Sequence, residues 1–177
     1  MTKMQELALK VKVHEIIKDM MQECIADMVN IGIPVQVEKI NGIYLGDVKG
    51  SFAMCCYETN NGETNYNIVI SNKIVKYMND EVVVANVKNS IYHELIHTCP
   101  DCQMGHNDTW LEYAVICDNK LNTKTRARQD EKVYLNRFKG NTHIYRCEHC
   151  GFEYETAENV GEFVRCPIDK EIIKKVA

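Results

Sequence analysis

No apolar stretch in this sequence approaches the length that a membrane span requires. The longest unbroken apolar runs contain only a few residues, whereas a spanning helix needs about 20. The N-terminal segment MTKMQELALKVKVHEIIKDMM carries charges throughout and lacks a small-residue cleavage site, so it does not resemble a secretory signal. Internal repeats and low-complexity segments are absent as well. We therefore expect a cytoplasmic protein that does not interact with a membrane.

The composition predicts one globular domain with a small appendage. The chain has 177 residues, of which 45% are hydrophobic and 26% are charged, and these values are ordinary for a globular protein. A cytoplasmic location would keep the nine cysteines reduced. We therefore interpret them as thiols and metal ligands rather than as a disulfide framework.

Charge is distributed unevenly along the chain. Residues 1–119 hold 16 acidic and 9 basic residues, a net charge of −7, whereas residues 120–177 hold 9 and 12, a net charge of +3. The positive excess is concentrated between Lys120 and Arg146, where eight basic residues face only two acidic ones. Such a stretch is typical either of a segment that binds an anionic partner or of a solvated linker.

Hydrophobic periodicity predicts three helices. Apolar residues recur near a spacing of 3.6 over residues 4–31, which indicates an amphipathic helix. A second helix is expected over residues 79–97, where asparagine and aspartate at the start are good N-cap residues. A third helix should cover residues 108–122.

A β-hairpin and a change of composition complete the predicted organisation. Alternating apolar residues on both sides of TNNG indicate a hairpin within residues 48–70. Beyond the third helix the chain becomes basic, and short alternating stretches then surround paired cysteines. We therefore predict a first domain of residues 1–122, a basic linker of residues 123–140 and a small β module of residues 141–177.

The segment HELIH carries the strongest chemical signal in the sequence. His93 and His97 are four residues apart, so on a helix they project from one face, about 6 Å apart along the axis. Glu94 lies about 100° around the helix from His93, where its carboxylate can hold a water without becoming a ligand. H-E-x-x-H therefore supplies two zinc ligands and a general base. The alternative is a surface helix with two unconnected histidines.

A catalytic zinc site needs a third protein ligand and one position left open for water. His106 follows His97 by nine residues, and a proline and a glycine between them let the chain turn back. Asn107 can then cap the next helix, whose Trp110 should pack against the HELIH helix. A lone histidine would more often be a solvated loop residue, but beside HELIH we predict that His106 is the third ligand.

The segments HELIHT and GHNDTW resemble the SprT-like zinc metallopeptidases, the family that includes the Spartan proteases of DNA–protein crosslinks. The resemblance implies an α+β fold: a zincin-like metallopeptidase domain with an N-terminal helix, a small antiparallel sheet, the HExxH helix and a following helix, plus a small C-terminal zinc-ribbon module. It implies that His93, His97 and His106 bind the catalytic Zn²⁺ and that Glu94 is the base. Asn107 stands where the family usually has glycine; because asparagine tolerates positive φ, we expect the turn to survive.

Three cysteines supply most of a zinc ribbon. Cys147, Cys150 and Cys166 have the expected spacing, and Asp169 occupies the fourth position, where a ribbon normally has cysteine. Three arrangements stay open: a second, structural zinc completed by Asp169 or water, one completed by His149, and a degenerate ribbon without metal.

The segment CPDC, between the second and third histidines, admits several interpretations. C-x-x-C can be a redox pair or half of a metal site, but a thioredoxin-like βαβ context is missing here. We expect Cys99 and Cys102 to shape the loop that returns His106. The alternatives are a metal shared with Cys147 and Cys150, and a thiol oxidoreductase. The other cysteines lie in apolar patterns and are expected in the core: Cys24, Cys55, Cys56 and Cys117.

These patterns predict a zinc-dependent metallopeptidase that hydrolyses peptide bonds in a protein or peptide substrate. A zinc-activated water would attack the scissile carbonyl while Glu94 takes its proton and later delivers it to the leaving amine. Basic residues interleaved with aromatic ones over residues 120–166 predict recruitment to DNA or RNA, as the Spartan resemblance also implies. The alternative is a non-enzymatic nucleic-acid-binding or regulatory protein with a structural histidine site, which needs a fourth protein ligand such as Cys99 or Cys102.

Overall fold

The computed structural model describes residues 2–103, 105–126, 143–156, 165–166 and 170–176. Within these ranges the fold is α+β, with three helices and two small sheets of three strands each. None of the described helices is both long and apolar enough to cross a membrane. Asp169 and most of the predicted linker lie outside the described residues.

All three predicted helices are present. Helix α1 spans Lys3–Asn30, α2 spans Glu81–Ile96 and α3 spans Asp108–Leu121. The carboxylate of Asp80 caps α2 by accepting hydrogen bonds from two N–H groups of its first turn. His97 is the C-cap residue of α2 and keeps a right-handed helical backbone, with φ −64° and ψ −14°. The two histidines of HELIH therefore keep the spacing that a helix gives them.

The first part of the chain, up to residue 122, contains one sheet. This sheet includes the predicted hairpin and one strand that was not predicted from the sequence. Strand β1 spans Ile40–Gly46, β2 spans Ala53–Asn60 and β3 spans Glu63–Ser71, in the spatial order β1-β3-β2. Strands β2 and β3 are antiparallel, but β1 pairs with β3 in parallel. The sheet is thus mixed, and the prediction of an antiparallel sheet is wrong. Strand β1 contains two glycines and one buried residue, Ile43, so it shows little of the alternation that identifies a strand.

Helix α2 lies at the centre of the first part. It packs against α1, against strands β2 and β3, and against α3. Helix α2 and these neighbouring elements contribute buried side chains to one core, among them Ile17, Ile68, Ile91 and Trp110. Two short 3-10 helices connect these elements: Val37–Lys39 and Asn72–Tyr77. Because α2 carries HELIH, the packing of the whole core fixes its position.

The tail, made of the described residues 143–156, 165–166 and 170–176, forms a second, smaller core. Strands β4 (His143–Arg146), β5 (Glu153–Thr156) and β6 (Lys174–Lys175) pair antiparallel in the order β5-β4-β6. Five buried residues fill this core: Tyr145, Cys147, Phe152, Cys166 and Ile173. The described start of the predicted linker, residues 123–126, packs on the first part, where Thr125 is fully buried.

Four cysteines expected in the core have two different environments. Cys24 and Cys117 are buried, as predicted, but Cys55 and Cys56 are only partly buried. The last two lie on β2, which pairs with β3 alone among the described strands. An edge strand of a thin sheet cannot bury both of its faces, so the expectation was wrong for these two thiols.

Candidate metal centre

Three imidazole rings converge at the C-terminal end of α2. One ring nitrogen from each of His93, His97 and His106 lies within 4.8 Å of the other two. The Nε2 atoms of His93 and His106 are 3.0 Å apart, and the three ring centroids are separated by 4.8, 5.2 and 5.4 Å. Zinc–imidazole bonds of about 2.0–2.1 Å place neighbouring ligand nitrogens a little over 3 Å apart. The arrangement is therefore compatible with one zinc ion.

Hydrogen bonds to the backbone orient two of these rings. Nδ1 of His93 lies 2.7 Å from the carbonyl oxygen of Thr125, and Nδ1 of His97 lies 2.9 Å from that of Cys102. Because a carbonyl oxygen can only accept, both Nδ1 atoms must carry the hydrogen, which leaves the lone pair of a neutral ring on Nε2. Metal-bound histidines typically donate their second ring N–H in this way.

The CPDC loop contributes to the site through its backbone. The carbonyl of Cys102 holds His97, and positive φ angles at Asp101 (62°) and Gly105 (69°) turn the chain back toward His106. Burial raises the pKa of the Cys102 thiol to about 11 and that of Cys99 further still, which disfavours the thiolate that redox or metal chemistry requires. Among the described residues, neither thiol belongs to a group that could hold a metal.

Asn107 is the N-cap residue of α3, and its φ is negative. Its backbone is extended, with φ −75° and ψ −179°, and its Oδ1 accepts from the N–H of Trp110 at 2.9 Å. Its Nδ2 donates to the carbonyl of Asp101 at 2.6 Å. Asn107 is therefore an N-cap that also ties the preceding loop to the helix.

Trp110 packs beside all three histidines. Its side chain is 1% exposed, and its ring centroid lies 4.8, 5.7 and 4.2 Å from those of His93, His97 and His106. Desolvation by neighbouring side chains lowers the pKa of all three imidazoles, although His106 keeps one exposed side. The neighbouring histidines lower the pKa of His97 and His106 further, the latter to about 3. The rings are thus neutral near pH 7, which is the form that binds metal.

Glu94 is buried on α2, and its carboxyl interacts electrostatically with His97. Its Oε2 accepts a hydrogen bond of 2.7 Å from the N–H of Cys55 on β2, and the residue is 9% exposed. Burial raises the pKa of this carboxyl to about 7, whereas a divalent cation on the histidines would favour the carboxylate. Within the described part of the chain, no carboxylate or thiol joins the three-histidine group.

Sequence patterns gave no sign of two residues that support His93. The carbonyl of Thr125 accepts from its Nδ1, although Thr125 is 32 residues away along the chain. Asp118 holds Thr125 in turn, because its Oδ1 accepts from the N–H of Thr125 at 2.7 Å and from its hydroxyl at 2.6 Å. A backbone carbonyl has no sequence signature, so only the fold reveals this contact.

The cysteines of the tail form a second candidate metal centre. The Sγ atoms of Cys147, Cys150 and Cys166 lie within 4.8 Å of one another, and two of them are 3.4 Å apart. Tight turns follow at Gly151 (φ 72°) and Lys170 (φ 66°), whose N–H groups donate to the carbonyls of Cys147 and Cys166 at 3.0 Å. This group is also compatible with zinc.

The fourth ligand of the cysteine centre is not defined by the described residues. His149 is exposed and does not belong to the group of three thiols. Asp169, the predicted ligand, lies outside the described residues, so the choice between Asp169 and water stays a prediction.

No protein-family model, curated protein or solved structure matches this chain. The two candidate metal centres therefore carry the functional assignment without help from a relative.

Proposed function

We propose that the chain is a zinc-dependent metallopeptidase whose first part is a zincin-like domain of the SprT type. The supporting observation is the fixed direction of His93 and His97. Both commit Nδ1 to backbone carbonyls and offer Nε2 to a point shared with His106. The buried carboxyl of Glu94 interacts electrostatically with His97 and accepts a hydrogen bond from the N–H of Cys55 on β2.

The chemistry follows from this arrangement. A bound zinc ion would polarise the scissile carbonyl and make water acidic enough to react near pH 7. Oε2 of Glu94 is occupied by the Cys55 N–H, which leaves Oε1 to accept the proton of the attacking water. The same oxygen then returns the proton to the departing amine. Three of the described residues could hold the ion at this centre, which would leave a fourth position for water or substrate.

The position of β2 favours an extended peptide as the substrate. Strand β2 pairs with β3 only, among the described strands, and Cys55 on β2 touches the proposed base. A peptide can add to an exposed strand edge through main-chain hydrogen bonds, which are independent of its side chains. A peptide held in this way by the other residues of β2 would pass close to Glu94, which already takes the N–H of Cys55.

The non-enzymatic alternative receives less support. A structural zinc site is typically closed by four protein ligands, and the described residues supply three at the histidine centre. The nearest sequence candidates, Cys99 and Cys102, are buried thiols outside that group. For the cysteine centre we propose a second, structural zinc, with Asp169 or water as the fourth ligand in a zinc-ribbon-like module.

Metal removal tests the proposed activity directly. We expect the purified chain to cleave a fluorescently labelled unfolded protein. Treatment with 1,10-phenanthroline followed by dialysis should lower the cleavage rate at least about 10-fold. Adding Zn²⁺ should restore the rate, whereas adding Mg²⁺ should not. Circular dichroism before and after treatment checks that the fold persists. A rate that survives complete removal of zinc, or no cleavage by the zinc-loaded chain, would contradict the proposal.

We also propose recruitment to DNA or RNA through the basic residues of 120–166. Replacing Lys132, Arg137 and Lys139 by alanine in the full chain should weaken binding of a single-stranded oligonucleotide and reduce its salt dependence by roughly one unit of slope per lost phosphate contact. The measurement is fluorescence anisotropy between about 50 and 200 mM salt.

The matched control replaces Lys10, Lys12 and Lys18 of α1 by alanine, which makes the same change in net charge. If the control variant loses as much affinity as the first, binding follows net charge and not the basic segment. If the unmodified chain binds no oligonucleotide at the lower salt concentration, recruitment is wrong.

A further inference from the structure

A continuous chain of polar contacts connects the two candidate metal centres. At one end, His93 donates to the carbonyl of Thr125. At the other end, Arg126 donates to the carbonyl of Cys150, which is one of the three clustered cysteines. Asp118 on α3 lies between them and contacts both Thr125 and Arg126.

The first half of this chain fixes the loop that holds His93. One oxygen of Asp118 accepts from the N–H and hydroxyl of Thr125 and from the hydroxyl of Thr123 at 2.9 Å. The hydroxyl of Thr125 also lies 3.1 Å from the carbonyl oxygen of Ala114, so its single hydrogen is shared between this oxygen and Asp118. Thr125 is fully buried, so water cannot easily replace these bonds. The position of its carbonyl, and thus the direction of the His93 ring, depends on Asp118.

The second half runs from Asp118 to the cysteine centre. Nε of Arg126 lies 2.7 Å from Oδ2 of Asp118, and both side chains are largely buried, with 20% and 10% exposed. Arg126 also reaches the turn after Cys150, where Gly151 leaves room for the guanidinium. A Cβ atom at Gly151 would lie 3.1 Å from Nη1 of Arg126. An ion pair of this kind is sensitive to what surrounds either partner.

We propose that Asp118 is a positioning residue for His93 and that Arg126 couples the metal affinities of the two centres, an inference that rests on the proposed metal site of the peptidase. Metal at the cysteines orders the turn that carries the Cys150 carbonyl. Arg126 then keeps both partners and holds Asp118 in place under Thr125. Without that metal the turn loosens, the ion pair hydrates, and His93 loses its fixed acceptor. Coupling of this kind is reciprocal.

A second contact between the same two parts provides the matched control. Glu153 of the tail pairs with Lys124 at 3.4 Å and with Arg146. These pairs border the same cavity of about 320 Å³ as Asp118 and Arg126. Within the described residues, the ion-pair partners of Glu153 are Lys124 and Arg146 rather than any residue of the route to His93. Glu153→Gln therefore weakens docking of the tail without touching the proposed route.

The experiment measures Co²⁺ affinity at the histidine centre of the full chain by competition with a chelator. Near-ultraviolet thiolate-to-Co²⁺ bands report the cysteine centre, and the visible d–d absorption that remains after the part that rises with those bands is subtracted reports the histidine centre. We expect Asp118→Asn to weaken Co²⁺ binding at the histidines roughly 10- to 100-fold. Co²⁺ binding at the histidines should also be weakened at least about 5-fold by Arg126→Met. The double variant Cys147→Ser, Cys150→Ser should have an effect of the same size. Combining the last two should add little to either one, whereas Glu153→Gln should change nothing.

Nitrogen-15 NMR of the histidines, in a chain that carries metal at the cysteine centre only, gives a readout independent of metal affinity. His93 should be protonated at Nδ1 in the unmodified chain and should populate both tautomers in Asp118→Asn. If Asp118→Asn does not fold, as judged by circular dichroism, Thr125→Val removes one bond to Asp118 with nearly the same shape and should shift affinity in the same direction.

The possible outcomes separate this inference from the peptidase proposal. Independent, multiplying effects of the Arg126 and cysteine variants would overturn the coupling, as would an equal loss in Glu153→Gln. Unchanged affinity and tautomer in Asp118→Asn would overturn the positioning role. A chain that binds Co²⁺ as expected but cleaves no peptide would overturn only the peptidase, whereas no Co²⁺ at the histidines would overturn both.

Discussion

Glu94→Gln should eliminate peptide hydrolysis while zinc stays bound. The amide oxygen of glutamine can still accept the hydrogen bond from the Cys55 N–H, so the side chain keeps its place next to the histidines. The amide cannot take a proton from water, and loss of a general base typically lowers turnover by about 10² to 10⁴. Zinc content by atomic absorption and cleavage of a labelled unfolded protein are measured on the same preparation.

The control for this variant is Glu81→Gln on the same helix. Glu81 is exposed in the first turn of α2, so the same chemical change there should leave both zinc content and turnover as they were. If Glu94→Gln retains turnover within a few-fold of the unmodified chain, Glu94 is not the base. If Glu94→Gln loses its zinc together with its turnover, Glu94 stabilises the metal site and its role as the base is not supported.

The predictable part of the site is the part built from one helix. The spacing within HELIH is enough to bring His93 and His97 to one face, because a helix has a fixed rise and turn. His106 required an assumption about a loop, and the structure meets it through positive φ at Asp101 and Gly105. Local geometry of this kind is encoded by neighbouring residues, so a sequence pattern can reveal it.

The contacts that orient the histidine rings could not be predicted from the sequence. The carbonyls of Thr125 and Cys102 hold His93 and His97, but any residue can supply a carbonyl. Cys55 reaches Glu94 through a backbone N–H from a strand 39 residues earlier. The packing of the chain brings these backbone groups to the histidines and Glu94. Because the contacts use the backbone, the identities of these residues do not predict them.

The sheet shows the same limit for the fold. The antiparallel hairpin was predictable because TNNG provides the Asn-Gly turn, and Asn61 and Gly62 do adopt positive φ of 53° and 84°. The parallel strand β1 pairs with β3 across more than 20 residues, with no turn to announce it. Its consequence for the site is indirect, since β1 occupies one edge of β3 and leaves β2 at the edge that faces Glu94.

His106→Asn should empty the histidine centre while leaving the cysteine centre loaded. His106 is exposed on a loop, so the fold should survive its replacement, but two imidazoles hold zinc far less tightly than three. We expect the affinity at this centre to fall by more than the roughly 10- to 100-fold that loss of a supporting hydrogen bond costs. Zinc content should decrease from about two ions per chain to about one, and turnover should disappear with the lost ion.

The matched substitution is His14→Asn on α1. Nε2 of His14 lies 2.9 Å from the carbonyl of Ile43, so this histidine joins α1 to β1 and takes no part in either metal centre. Its replacement should lower the thermal midpoint of unfolding and leave the zinc content unchanged. Full zinc occupancy in His106→Asn would mean that the third ligand is another group, and the open position required for hydrolysis would then have to be assigned again.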